Sequence, residues 1–87
     1  MKELVEKMVQ YLVDEPDKVE VKEIDGDQAN ILEIRVSKQD IGRVLGKQGT
    51  NINALRTIVS AVGGKRKKRY FVELIDDRPD ERRRRQF

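Results

Sequence analysis

The chain predicts an α+β domain of two layers, with three helices covering one face of a three-stranded sheet in the order α-β-β-α-α-β. Three patterns carry this reading. Apolar residues recur at helical spacing over the first dozen positions. Two alternating, β-branched segments then flank a Gly-containing turn. A Gly-x-x-Gly loop next separates two helical segments, and a last alternating strand completes the layers. With 87 residues there is room for one modest core. Residues 1–78 read as that single domain and 79–87 as a charged, flexible C-terminal tail.

Taken in order, Leu4, Val5, Met8, Val9 and Leu12 fall on one face of a helix over residues 2–13. Pro16 ends it, because proline disfavours helical geometry at Glu15. Residues 19–24 alternate as a strand, Asp25-Gly26-Asp27 is a turn signal, and residues 32–36 form the second strand of an antiparallel hairpin. Leu32, Ile34 and Val36 face inward, while Ile31 falls on the opposite face or at the strand's edge. A short helix is expected over 38–45, burying Ile41, Val44 and Leu45, with Asp40 in its first turn facing the positive end of the dipole. The second core helix starts from Thr50 as N-cap and runs to Val62, where Gly63-Gly64 stops it. Five cations follow at 65–69, and the final strand covers 70–75 with Tyr70, Val72 and Leu74 on one side.

Composition narrows the chemistry. Hydrophobic residues make up 37% and charged residues 40%, yet the apolar ones are grouped periodically, which marks a folded chain rather than a disordered one. There is no Cys and no His. A disulfide, a thiolate metal site and the usual near-neutral acid–base group are therefore absent. No enzyme activity, metal or cofactor is expected, although carboxylate chemistry stays open in principle. No apolar run approaches the ~20 residues of a membrane span. Residues 1–13 carry no signal-peptide core either, so the chain reads as intracellular, fitting a bacterial cytoplasm.

The net charge of +3 hides an asymmetry. Residues 1–40 hold 6 Lys/Arg against 11 Asp/Glu, whereas residues 41–87 hold 13 against 5. Such a split suggests one face that attracts a polyanion.

The most informative stretch runs from Ile41 to Leu55. Gly46 and Gly49 admit backbone angles closed to other residues and carry no Cβ to hold off a ligand. They precede a helix N-terminus, whose free N–H groups favour phosphate. Lys47 adds a mobile cation and Gln48 a neutral donor and acceptor. Gly42, one turn earlier, thins the first core helix where a nucleotide would pass. A nucleotide-binding P-loop is excluded, since that motif needs four residues between its glycines followed by Lys and Ser/Thr. Here three residues separate Gly42 from Gly46, and Gln48 follows Lys47. Double-stranded DNA is disfavoured because the loop sits on no long recognition helix.

At these residues the sequence resembles the KH domain. The family pattern Ile-Gly-x-x-x-Gly-x-x-Gly-x-x-Ile is matched at Ile41, Gly42, Gly46, Gly49 and Ile52 without a gap. The helix and strand ahead of the core resemble the type II (prokaryotic) arrangement. More narrowly, Gly-Lys-Gln-Gly-Thr-Asn-Ile-Asn-Ala-Leu-Arg is similar to the bacterial stand-alone single-KH family (KhpA, or YlqC-like). The common family form has Gly where Gln48 stands, a departure that keeps both framing glycines. The resemblance implies a single-stranded RNA-binding protein, an RNA chaperone or post-transcriptional regulator, that clamps about four unpaired nucleotides with the loop on their backbone. Ile41, Gly42, Arg43, Leu45, Gly46, Lys47, Gln48, Gly49 and Asn51 are then the RNA-binding candidates, joined by Lys65 and Arg66 from the basic run. RNA and single-stranded DNA are not told apart by these residues.

The basic run reads either as an extension of the phosphate-binding surface or as a solubilising loop, and residues 82–85 as a basic arm or an incidental charge run. Ala54, Ile58 and Ala61 form a second apolar stripe on the last helix. It suits either a symmetric homodimer or packing of Ile58 on the first helix. The resemblance further implies a heterodimer with a larger KH-containing protein (KhpB, Jag- or EloR-like), no membrane association, and a part in growth and cell shape. The alternative reading is a KH-fold protein–protein scaffold or dimerisation module with little RNA binding of its own.

Overall fold

The computed structural model describes residues 1–76. Helix α1 (Lys2–Leu12) comes first and is followed by a 3₁₀ turn over Pro16–Lys18. Strands β1 (Glu20–Asp25) and β2 (Asn30–Arg35) form an antiparallel hairpin in which Val21 pairs with Ile34 and Ile24 with Ile31. A second 3₁₀ turn, over Lys38–Asp40, leads into α2 (Ile41–Leu45), a third over Lys47–Gly49 into α3 (Thr50–Lys65), and β3 (Tyr70–Leu74) is the last element of the described residues. β3 runs parallel to β2, beside which it lies as the outer strand, with Val72 next to Leu32. Parallel neighbours need a long crossover, and α2 with α3 supplies it.

Alternation sorts the strands into two faces. Leu32 and Ile34 are fully buried and meet Val21, Val72 and Tyr70 on the helix side, where Val5, Val9, Val44, Ile52, Leu55 and Val59 complete one core. Burying each Val, Leu or Ile contributes about 1.5–3 kcal/mol. Ile24, Ile31 and Phe71 stand in register on the opposite face, and Phe71 is 51% exposed. Strand β2 starts two residues earlier than its apolar pattern predicts. Asn30 is buried there because its side-chain amide donates to Glu23 and Asp25, each at 2.8 Å, while its backbone N–H bonds the Arg69 carbonyl.

Three local expectations are corrected. Gly63-Gly64 does not stop the last helix, which continues to Lys65. Gly63 is needed for its bareness, not as a terminator: an added Cβ would come within 2.7 Å of the Lys68 carbonyl and 2.8 Å of the Tyr70 ring. Nor is Thr50 the cap. Gly49, in the left-handed region, precedes the helix, and no side chain caps it. Finally, residues 38–45 are not one α-helix, and Asp40 does not act as a simple dipole partner. Its carboxylate is buried at the junction of the 3₁₀ turn with α2 and accepts the Asp14 and Glu15 backbone N–H groups, both at 3.0 Å, and the Ser37 hydroxyl at 3.0 Å. Asp40 thereby ties the end of α1 to the start of the crossover. Burial pushes its carboxyl up, but the two amides, the hydroxyl and the nearby Arg43 charge outweigh that and hold it below the usual carboxylate range.

Candidate nucleic-acid interface

Between α2 and α3 the chain takes three steps at positive φ, two of them at glycines. Gly46 sits at φ 75, ψ 173, a region open almost only to glycine, and its N–H closes α2 on the Gly42 carbonyl at 2.9 Å. Gln48 (φ 57, ψ 28) and Gly49 (φ 79, ψ 14) are both left-handed, and the Gly49 N–H returns to the Gly46 carbonyl at 3.1 Å. Lys47 and Gln48 project into solvent at the head of α3. Because Gly49 brings no capping side chain, the amides of the first turn of α3 have no side-chain cap.

The other candidates fall into distinct places. Ile41 is buried at the start of α2, and Leu45 is half-buried against the core. Gly42 is exposed, and an added Cβ there would meet nothing within 4 Å. Arg43 is tied down, its Nε 3.0 Å from Asp14 Oδ2 and 3.8 Å from Asp40 Oδ1. Asn51 is a strut of the loop: its Nδ2 donates to the Arg43 carbonyl at 2.8 Å, and its side chain fills the space a Cβ on Gly46 would need. It faces the apolar groove shared with α1, not the opposite face of α3.

That opposite face holds what sequence reasoning missed. A groove runs between α3 and the outer edge of β3, lined by Arg56, Ser60 and Gly64 from the helix and by residues 70–73 from the strand. Arg56 crosses it, donating to the Val72 carbonyl from Nε (3.3 Å) and Nη2 (3.2 Å). Phe71 stands at its lip. The spacing of Arg56, Ser60 and Gly64 at i, i+4 and i+8 was the available signal, a bare stripe on a helix otherwise rich in Ile, Leu and Val.

Lys65 and Arg66 are not beside the loop. They lie at the far end of α3, about 22 Å away at 1.5 Å per residue. Lys68 and Arg69 of the same basic turn line one end of the α3–β3 groove, whose lining reaches back along α3 as far as Arg56. Residues 65–69 are all exposed.

Ala54 and Ile58 line a third surface, an apolar groove against Met8, Tyr11 and Leu12 of α1. Ile58 thus lies beside α1 and is still 43% exposed, and Ala61 is exposed as well. The basic residues 82–85 lie outside the described residues.

A helical hairpin broken by Gly-x-x-Gly and laid on a sheet whose outer strand runs parallel to its neighbour defines a KH domain. Comparison with known proteins places it further: the chain belongs to the family described as KhpA/KhpB, KH domain, which it matches over residues 2–74. It is 51% identical to the RNA-binding protein KhpA of Caldanaerobacter subterraneus subsp. tengcongensis over 75 residues, covering 86% of this chain and all of that protein. The RNA-binding protein KhpA of Clostridium acetobutylicum is 47% identical over the same shares. That of Aquifex aeolicus is 43% identical, covering 87% of this chain and 96% of the relative. No solved structure gives a significant match.

Proposed function

We propose that this protein binds single-stranded RNA along the groove between α3 and β3, as an RNA chaperone or post-transcriptional regulator. The sugar–phosphate backbone rests on Gly46–Gly49 at one end, where a loop of this kind clamps about four nucleotides, and is drawn by the basic turn at the other. The carrying observation is the exposed Lys47-Gln48 pair at the head of a helix whose bare face leads to that turn. The relatives' description as RNA-binding proteins supports it. A labelled single-stranded RNA octamer tests it against the parent and a Lys47→Asp, Gln48→Asp variant. Binding should be lost with the thermal melt unchanged, since Asp tolerates the left-handed angles of position 48. Equal binding by both proteins would refute the assignment.

The apolar groove of Met8, Tyr11, Ala54 and Ile58 favours a second reading beside the first, in which the protein is also a dimerisation module pairing with a second copy or with a larger KH-containing partner. Tyr11 is 88% exposed, a large apolar area for a single domain to leave in water. Light scattering on the Ile58→Asp variant tests the pairing. The parent should have the mass of a dimer and the variant that of a monomer, and a parent of monomer mass would remove self-association.

A further inference from the structure

β3 pairs with β2 through alternate peptide groups, as the Asn30 N–H to Arg69 carbonyl and Ile75 N–H to Ile34 carbonyl bonds show. The Val72 peptide groups therefore point away from the sheet, into the groove. A bare edge offers a donor and an acceptor at such a position. Here the acceptor is taken, because Arg56 lays two of its five N–H donors on the Val72 carbonyl. The remaining donors, with the Val72 N–H, make the middle of the groove rich in donors. Glu73 lines the same groove, but strand alternation places its side chain with Phe71 on the far face of β3, not on the edge. Beyond Arg56 the helix presents only Ser60 and then Gly64, where an added Cβ would meet nothing within 4 Å. A flat base can therefore reach the guanidinium.

We propose that Arg56 reads the Hoogsteen edge of a base in the groove, and so favours guanine and uracil over adenine and cytosine. This rests on the reading of the groove as the RNA path. On the Hoogsteen edge guanine offers the acceptors O6 and N7 and uracil carries O4 as thymine does, whereas adenine and cytosine present exocyclic amines there that need an acceptor. With the Val72 carbonyl engaged, an amine turned toward Arg56 meets donors there and goes unpaired, which costs binding. A guanidinium fork also fits two adjacent acceptors in a way that a lysine ammonium does not.

The test is fluorescence anisotropy with labelled (GU)4 and (AC)4 RNA octamers at one salt concentration. The parent should bind (GU)4 at least about fivefold more tightly, the low end of what one bidentate base contact discriminates. Arg56→Lys keeps the charge but loses the fork, so the ratio should fall to about one while (AC)4 affinity is held. Arg56→Met should also abolish the ratio, and Arg56→Lys decides the matter if the Met variant fails to fold. A parent that binds both octamers alike, or a Lys variant that keeps the parent's ratio, overturns the role of Arg56 alone. A parent that binds neither octamer overturns the RNA reading and this inference with it.

Discussion

Gly46 and Gly49 frame the same loop, yet alanine should act on them very differently. At Gly46 two penalties combine. The backbone (φ 75, ψ 173) is nearly closed to residues with a Cβ, which costs about 1–3 kcal/mol. The new Cβ would also stand 2.6 Å from Asn51 Cγ and 2.8 Å from the Asn51 backbone nitrogen, an overpacking worth about 1–3 kcal/mol more. The total is about 2–6 kcal/mol, less the roughly 0.4–1 kcal/mol that a stiffer unfolded chain returns. At Gly49 the angles are ordinary left-handed ones, costing about 1–2 kcal/mol for an L-residue. The nearest atoms are 3.8 and 4.0 Å away, so no clash is added, and the stiffer unfolded chain returns about 0.4–1 kcal/mol. Gly49→Ala should therefore cost about 1 kcal/mol. Urea unfolding followed by far-UV circular dichroism resolves the difference: with a slope of about 1–1.5 kcal/mol/M, the two midpoints should lie about 1 M or more apart. Adding Asn51→Ala removes the Cγ but not the backbone nitrogen, so the Gly46→Ala cost should shrink without vanishing. If Gly49→Ala proves as damaging as Gly46→Ala, the conformational argument for the loop is wrong.

Gly63→Ala should destabilise the domain by about 1–3 kcal/mol, because its Cβ has only the Lys68 carbonyl and the Tyr70 ring to enter. Gly64→Ala should stabilise it by about 0.5–1 kcal/mol in the same urea experiment, since the position is helical and open. Asp40 has a carboxyl held low in the folded state, so its contribution is present above the unfolded-state pKa and is lost as pH falls through the folded one. Stability measured from pH 6 down to pH 3 should drop, and an Asp40→Asn variant should be less stable at pH 6 and show a shallower acid loss. Replacing Lys65, Arg66 and Lys68 together by Gln should lower the slope of log affinity for RNA against log salt by about 2, at roughly 0.7 per phosphate contact on a single strand. An unchanged slope would show that the basic turn touches no phosphate.

The order of elements was legible because each carries its own period, as Val5 and Val9 of α1 or Leu32 and Ile34 of β2 show. The loop was legible because Gly46 and Gly49 are needed where they stand. Gly63 misled because a helical glycine held by close packing and a glycine that ends a helix read alike until Tyr70 is placed against it. Asp40 was placed correctly along the chain but given the wrong partner, since its amides come from Asp14 and Glu15, more than twenty residues earlier. The direction of β3 was left open, and with it the groove, because which strand edge faces α3 depends on long-range pairing that no local pattern encodes. Lys65 and Arg66 were read as extending the phosphate-binding surface, but α3 sets them at its opposite end from the loop, and it is Lys68 and Arg69 of the same run that line the groove.

On α3 the residues at the groove and those at the apolar face are two positions apart in sequence. Arg56 and Ile58 therefore point about 160° away from each other around the helix. If two copies joined back to back through Ile58, neither would cover the other's Arg56, and the pair would present two outward tracks. One flexible transcript could then engage both, with the second attachment made at the high local concentration set by the first. The grip on a long strand would exceed that on a short oligomer with no additional contact per copy.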